Sequence, residues 1–152
     1  MNASLNIVQA TMEHLDDAAA LFDDYRQFYH QQTDIEGARQ FLFERLSNRE
    51  SVIFLVKDTT ADKFIGFTQL YPVFSSLSMQ RSWILNDLYV AESYRRRGAA
   101  QLLLDAARVH AILTKSKGLE LATAMDNVKA QTLYEKNGYQ RDDAFYHYGL
   151  NV

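Results

Sequence analysis

The stretch LYVAESYRRRGAAQLLL, residues 88–104, constrains the fold and the function more than any other part of the chain. An apolar, strand-like run enters an arginine-rich turn, reaches Gly98 and continues directly into an amphipathic helix. Unpaired N–H groups and the positive end of the helix dipole converge at such a turn, so it can bind a phosphate. The small Ala99 and Ala100 let a phosphate approach the backbone closely. We therefore predict a phosphorylated cofactor here; the alternative is a helix N-terminus with a solvated arginine cluster.

The composition indicates one globular domain. The chain has 152 residues, of which 47% are hydrophobic and 23% charged, as is typical of soluble proteins. This length is sufficient for a sizeable core, and we expect a single domain over residues 1–152. The net charge of −3 argues against a general nucleic-acid-binding surface.

Several classes of site are excluded by residue type. The chain has no cysteine, which rules out disulfides, thiolate metal sites and cysteine nucleophiles. We expect no metal site, because the four histidines, His14, His30, His110 and His147, show no metal-ligand spacing. The N-terminus lacks the features of a signal peptide, and no apolar run approaches the roughly 20 residues that span a bilayer. We expect no membrane partner and a cytoplasmic location.

The periodicity of apolar residues predicts the element order β-α-α-β-β-β-α-β-α-β. Thr11 and Asp34 are candidate N-caps of the first two helices, and Gly138 is a candidate C′ residue of the last helix. Hairpins first and a strand–helix–strand crossover later indicate an α/β or α+β fold, with a mixed sheet and helices on both faces. We predict strands at residues 5–10, 51–57, 64–74, 83–90, 119–125 and 139–150, and helices at residues 11–31, 34–46, 98–115 and 127–137.

A second segment, NVKAQTLYEKNGY at residues 127–139, completes a pair of motifs. With it, the chain resembles the GCN5-related N-acetyltransferase family over essentially its whole length. The turn at residues 95–100 resembles the acetyl-CoA loop of that family, Arg/Gln-x-x-Gly-x-Gly/Ala. The second segment resembles the signature Asn-x-x-Ala-x-x-x-Tyr-x-x-x-Gly-Phe/Tyr. The resemblance implies a mixed, mostly antiparallel central sheet.

The resemblance also implies acetyl-CoA as the cofactor. Backbone amides of residues 96–101 would hold the pyrophosphate. The main chain of Leu88 and Val90 would bond to the pantetheine arm, which then lies like an added strand. The cofactor-binding residues so assigned are Leu88, Tyr89, Val90, Arg95, Arg96, Arg97, Gly98, Ala99, Ala100, Gln101, Asn127 and Tyr134.

In this family a neutral amine attacks the thioester directly. The tyrosine that matches Tyr134 protonates the departing thiolate, which a phenol of pKa about 10 can do at neutral pH. A glutamate base of the diamine-acetylating relatives falls where this chain has Asn86, so we assign the base to the neighbouring Asp87. Adjacent residues of a regular strand point to opposite faces, so Asp87 reaches the site only if the strand has a bulge. A structural carboxylate is the alternative.

Among family members the chain most resembles those that acetylate small amines such as diamines and polyamines. We therefore expect a small primary amine as substrate, since aromatic faces suit an ammonium group. The expected substrate-binding residues are Tyr25, Tyr29, Tyr71, Trp83, Asn86 and Tyr146. An acetyltransferase of protein N-termini or lysines and a non-catalytic CoA-binding module stay open as alternatives. The resemblance is compatible with a homodimer.

Overall fold

A computed structural model describes residues 4–152 and separates the chain into two compact units, one ending at Leu121 and the other Ala122–Val152. The single domain expected over residues 1–152 stays a prediction. The first unit contains β1 (Leu5–Gln9), α1 (Leu15–Phe28), α2 (Ile35–Ser47), β2 (Val52–Asp58), β3 (Lys63–Ser75), β4 (Gln80–Val90), α3 (Ala99–Leu113) and β5 (Leu119–Glu120). The second unit contains α4 (Val128–Lys136).

The first unit is built on one five-stranded sheet with the order β1-β2-β3-β4-β5. The first four strands pair antiparallel, and β5 lies parallel to β4. Helix α3 connects β4 to β5, which is the crossover that a parallel pair requires. The predicted mixed, mostly antiparallel sheet is therefore confirmed.

The two faces of the sheet are covered by different helices. On one face, Ile53, Leu55 and Phe67 of the sheet join buried residues of α1 and α2 in one apolar cluster. On the other face, the rings of Phe54 and Trp83 contact His110 of α3 at 5.6 and 4.9 Å between ring centroids. Successive strand residues point to opposite faces, so β2 supplies Ile53 and Leu55 to one layer and Phe54 to the other. We call these the α1/α2 face and the α3 face.

The predicted caps are confirmed in detail. Thr11 caps a short 3-10 turn that leads into α1, and its hydroxyl accepts a hydrogen bond from the N–H of Glu13 at 3.3 Å. Asp34 caps α2 by accepting from the N–H of Gly37 at 2.9 Å. Gly138 follows the C-cap of α4 with φ +91°, a left-handed conformation that favours glycine.

Two of the predicted strands are wrong, because one is much shorter than predicted and the other is absent. Strand β5 has only the two residues Leu119 and Glu120, which pair with Trp83 and Ile84 of β4, whereas we predicted residues 119–125. No strand is present at residues 139–150. A strand exists only where a neighbour completes its ladder of backbone hydrogen bonds, and these segments form no such ladder within the described part of the chain. No helix in the described range 4–152 is long and apolar enough to cross a membrane.

Candidate active site

The turn between β4 and α3 has the backbone geometry of an anion site. Arg96 (φ +63°) and Gly98 (φ +82°) both adopt left-handed conformations, and Gly98 is the N-cap of α3. Glycine has no side chain with which to cap a helix, and α3 has no side-chain cap. The first N–H groups of α3 therefore keep their capacity to bind an anion.

The three arginines of the turn have different surroundings. The Arg95 side chain folds back, with Nε donating to the carbonyl oxygen of Val90 at 2.9 Å. Its guanidinium also lies over the rings of Phe28 and Tyr89, at 5.1 and 5.8 Å from their centroids. Arg97 lies over another ring in the turn, and Arg96 is exposed. The protein thus holds Arg95 through a backbone carbonyl and two rings, and Arg97 through one ring.

The outer edge of β4 offers backbone groups to an extended ligand. The N–H of Ala91 donates to the carbonyl of Ile65 in β3 at 2.8 Å, so the alternation of an antiparallel ladder turns the backbone groups of Val90 and Leu88 away from β3. The bond from Arg95 to the carbonyl of Val90 fits this orientation. Strand β5 pairs only near the start of β4, so this part of the edge has no strand partner in the described residues.

Strand β4 contains the bulge that a role for Asp87 requires. Gln69 of β3 pairs with Asp87, and the next residue of β3 pairs with Leu85, which leaves Asn86 as the extra residue. Only 5% of Asp87 is exposed. Its carboxylate accepts from Nε2 of Gln69 at 2.9 Å and from Nδ2 of Asn86 at 3.2 Å, so amides rather than a cation hold it in place.

Two further polar groups lie close to Asp87. Burial first, and then the charge of Asp87, raise the pKa of Tyr71 to about 12, so the Tyr71 hydroxyl stays protonated at neutral pH. Gln69 is fully buried, and its Oε1 has no hydrogen-bond partner among the described residues. The substrate candidates Tyr71 and Asn86 therefore gather around Asp87 on the α1/α2 face.

Aromatic side chains of α1 continue this face. The ring of Tyr25 contacts those of Tyr29, Phe67 and Tyr89 at 5.1, 5.6 and 6.1 Å between centroids. Tyr25 is packed against the core, whereas 55% of Tyr29 is exposed. Tyr29 is the one of these two candidates whose ring surface is available to a ligand.

A cavity of about 380 Å³ opens where α1 approaches the turn, lined by Asp24, Gln27, Phe28, Tyr89, Glu92 and Arg95. Burial and the neighbouring Asp23 raise the pKa of the Asp24 carboxyl. Sequence reasoning did not place Gln69 or Phe28 in the site. Gln69 carried a usable signal, because it is an amide within the apolar strand sequence IGFTQLY.

Trp83 is not part of this group. Trp83 lies on the α3 face, where its Nε1 donates to Oγ1 of Thr114 at 3.0 Å. It pairs with Pro72, the neighbour of Tyr71, and neighbouring strand residues point to opposite faces. Trp83 and Tyr71 therefore do not share a surface, contrary to our expectation. Tyr146 lies in the second unit, in a segment without helix or strand.

The second motif is built into α4. Asn127 is its N-cap, and Oδ1 accepts from the N–H of Ala130 at 3.2 Å. Tyr134 follows seven residues later, two turns along the same face, and its ring lies 5.9 Å from that of Tyr139. The Asn127 side chain thus serves as a cap. No cluster of three metal-ligating side chains occurs within residues 4–152.

Comparisons with known proteins agree on one family. Residues 18–139 match the acetyltransferase (GNAT) family. YhfO of Bacillus subtilis, an uncharacterized N-acetyltransferase, is 49% identical over 97% of this chain and 98% of its own length. A crystal structure of a probable acetyltransferase has 47% identity and a TM-score of 0.91, covering 97% of both chains. An L-ornithine N5-acetyltransferase of Arabidopsis thaliana is 27% identical over 56% of this chain and 42% of its own.

Proposed function

The chain belongs to the acetyltransferase (GNAT) family, and on that premise we propose that it transfers an acetyl group to a primary amine of a small molecule. It is an N-acetyltransferase that uses acetyl-CoA. The non-catalytic CoA-binding module that the sequence left open is not favoured. The substrate class and the site residues are the proposal.

Two parts of the first unit are suited to bind acetyl-CoA, the acetyl donor. The uncapped start of α3 with the left-handed Gly98 suits a pyrophosphate. The backbone groups of Leu88 and the N–H of Val90, on the edge of β4 without a strand partner, suit an extended amide-bearing arm. Acetyl-CoA supplies, when bound, an activated thioester that an amine can attack. Arg96 and Arg97 are the exposed cations nearest the turn and would face its phosphates.

Asp87 is the residue we assign to the acceptor amine. An alkylamine of pKa about 10.4 is almost entirely protonated at pH 7 and must lose a proton before it attacks. The Asp87 carboxylate is buried and bonded to two amides. It can accept a hydrogen bond from the ammonium group or take its proton through water. The Tyr71 hydroxyl, held protonated by its raised pKa, can orient the same group.

Tyr134 is the residue we assign to the departing thiolate, on the strength of the motif at residues 127–139. A phenol of pKa about 10 matches the basicity of an alkyl thiolate well enough to donate a proton without being charged at neutral pH. The helix begins at Asn127, whose Oδ1 accepts from the N–H of Ala130 at 3.2 Å. The motif is therefore intact in its local structure.

The observation that carries the choice of a small amine is the bulge at Asn86, which leaves Asp87 buried beside Tyr71. A buried carboxylate with an aromatic neighbour favours a compact cation over an extended peptide. The L-ornithine N5-acetyltransferase of Arabidopsis thaliana, which is named for a small amine, supports the same choice.

The test is a steady-state assay that follows release of the CoA thiol over a panel of diamines, amino acids, aminoglycosides and N-terminal peptides. We expect a higher kcat/KM for a small amine than for any peptide. Turnover on peptides alone would overturn the assignment of substrate class. A homodimer and a cytoplasmic location stay predictions from the sequence, and sedimentation of the purified chain tests the first.

A further inference from the structure

The side chain of Tyr94 connects the turn at residues 95–100 to the β2–β3 hairpin. It ends the 3-10 turn Glu92–Tyr94, directly before Arg95. Its hydroxyl donates to Oδ2 of Asp58 at 2.8 Å. Asp58 is the last residue of β2 and is only 8% exposed, so this bond crosses from the β4–α3 connection to the β2–β3 hairpin.

Asp58 is itself rigidly held. Its Oδ1 accepts from the N–H groups of Thr60 and Ala61 at 3.0 and 3.3 Å, which fixes the carboxylate within the hairpin loop. The bond from Tyr94 is the main reason that the pKa of the Asp58 carboxyl lies below its ordinary value, and the same bond raises the pKa of Tyr94. The bond therefore joins a charged acceptor to a phenol that stays protonated.

The same tyrosine also supports an arginine of the turn. The guanidinium of Arg97 lies over the Tyr94 ring, 5.2 Å from its centroid. The backbone entering the turn is fixed by the N–H of Tyr94, which donates to the carbonyl of Ala91 at 2.9 Å. Tyr94 thus restrains the turn before its left-handed residues through its backbone and its hydroxyl, and after the first of them through its ring at Arg97.

We propose that Asp58 and Tyr94 are a positioning pair that holds residues 95–100 in the shape that binds the pyrophosphate of acetyl-CoA. The inference rests on the proposed function of that turn. Neither residue touches the reacting atoms; the pair sets donor affinity and leaves the chemical step alone. A preformed turn binds its ligand more tightly because its ordering is already complete before binding.

The decisive variant is Tyr94→Phe, which removes the hydroxyl and keeps the ring beneath Arg97. We expect the KM for acetyl-CoA to rise on the order of 3- to 10-fold, because only part of the free energy of a hydrogen bond to a charged group would contribute to ligand binding. The kcat should be unchanged. With S-acetylpantetheine, a donor without pyrophosphate or nucleotide, neither constant should change, whereas general damage to the fold would affect both donors.

Asp58→Asn provides a second route to the same bond. It presents an amide N–H₂ in place of the carboxylate oxygen, and the double variant should be no worse than the poorer single variant if both act through one bond. Asp62→Asn is the matched control. It removes a carboxylate from the same hairpin, one that pairs with Lys57 at 2.7 Å, and it should leave the kinetic constants for both donors unchanged.

Ala100→Ile separates this inference from the proposed function. A bulky side chain within the turn should raise the KM for acetyl-CoA strongly if the pyrophosphate binds there. If Ala100→Ile raises that KM and Tyr94→Phe does not, the positioning pair is wrong and the site stands. If neither variant changes it, the assignment of the turn is wrong, and the inference is overturned with it. A rise with both donors, or a fall in kcat alone, also overturns the pair.

Discussion

The two faces of the sheet bury different kinds of side chain where β3 and β4 meet. On the α1/α2 face, the side chains of Gln69 and Tyr71 lie close to the carboxylate of Asp87. On the α3 face, the same two strands contribute Leu70 and Leu85 to an apolar layer. Burying polar groups costs free energy unless they are hydrogen-bonded, and here one amide oxygen has no partner among the described residues. Because the cluster around Asp87 is the more polar of the two, we assign this polar face to the proposed reaction.

Asp87→Asn should produce the largest effect and tests whether the polar face is catalytic. Loss of a group that takes a proton from substrate typically lowers rates by about 10²- to 10⁴-fold, and we expect a fall of that order in kcat/KM at pH 7. The free energy of unfolding should change little, since an amide can still bond to its neighbours. Full activity in this variant would make the carboxylate structural and remove the contrast between the faces.

Leu103→Ala tests whether the α3 face contributes to stability and not to catalysis. Leu103 is fully buried in α3, and truncation of such a leucine typically costs about 2–5 kcal/mol. Urea denaturation should show that loss, while kcat/KM per folded molecule stays as in the parent chain. A selective loss of turnover with little loss of stability would mean that the apolar face also serves catalysis.

A matched pair of hydroxyl deletions sharpens the comparison. Tyr71→Phe removes a hydroxyl beside Asp87 and should raise the KM for the amine several-fold. Thr114→Val removes the hydroxyl that accepts from Nε1 of Trp83 and should cost about 1 kcal/mol of stability without changing that KM. Kinetics and denaturation on both variants give the result, and equal effects on the amine KM would contradict the assignment of faces.

The smallest expected effect is at Asp23, and it concerns how the free energy of unfolding depends on pH. The N–H of Asp34 first, and then the hydroxyl of Thr33, hold the pKa of the Asp23 carboxyl below its ordinary value. Its stabilising contribution is therefore complete above an ordinary aspartate pKa of about 3.9 and is lost as the pH falls through the lower folded-state value. In Thr33→Val, unfolding curves in acid should show a weaker dependence on pH than in the parent chain. An unchanged dependence would exclude this bond as its source.

Local features of the structure followed from the sequence because their causes are local. Thr11, Asp34 and Gly138 are caps whose effect depends on residues a few positions away. The bulge at Asn86 is different, because it depends on how β3 and β4 align, and one extra residue reverses the face of everything that follows. The sequence could therefore name Tyr71 and Trp83 as aromatic candidates but could not separate their faces. The partnership of Gln69 with Asp87 is equally non-local.

The position of Arg95 bears on the length of the acyl donor that can bind along β4. Its side chain donates a hydrogen bond to the carbonyl of Val90, the last acceptor on the outer edge of β4. The N–H and carbonyl of Leu88 and the N–H of Val90 are then the groups that a ligand can bind. An arm bound there cannot slide outward by two residues, a displacement of about 6.6 Å, without displacing this arginine. We therefore expect the protein to fix the far end of an arm that binds there. A donor with a longer or shorter arm would then bring its acyl carbon to the wrong depth relative to Asp87.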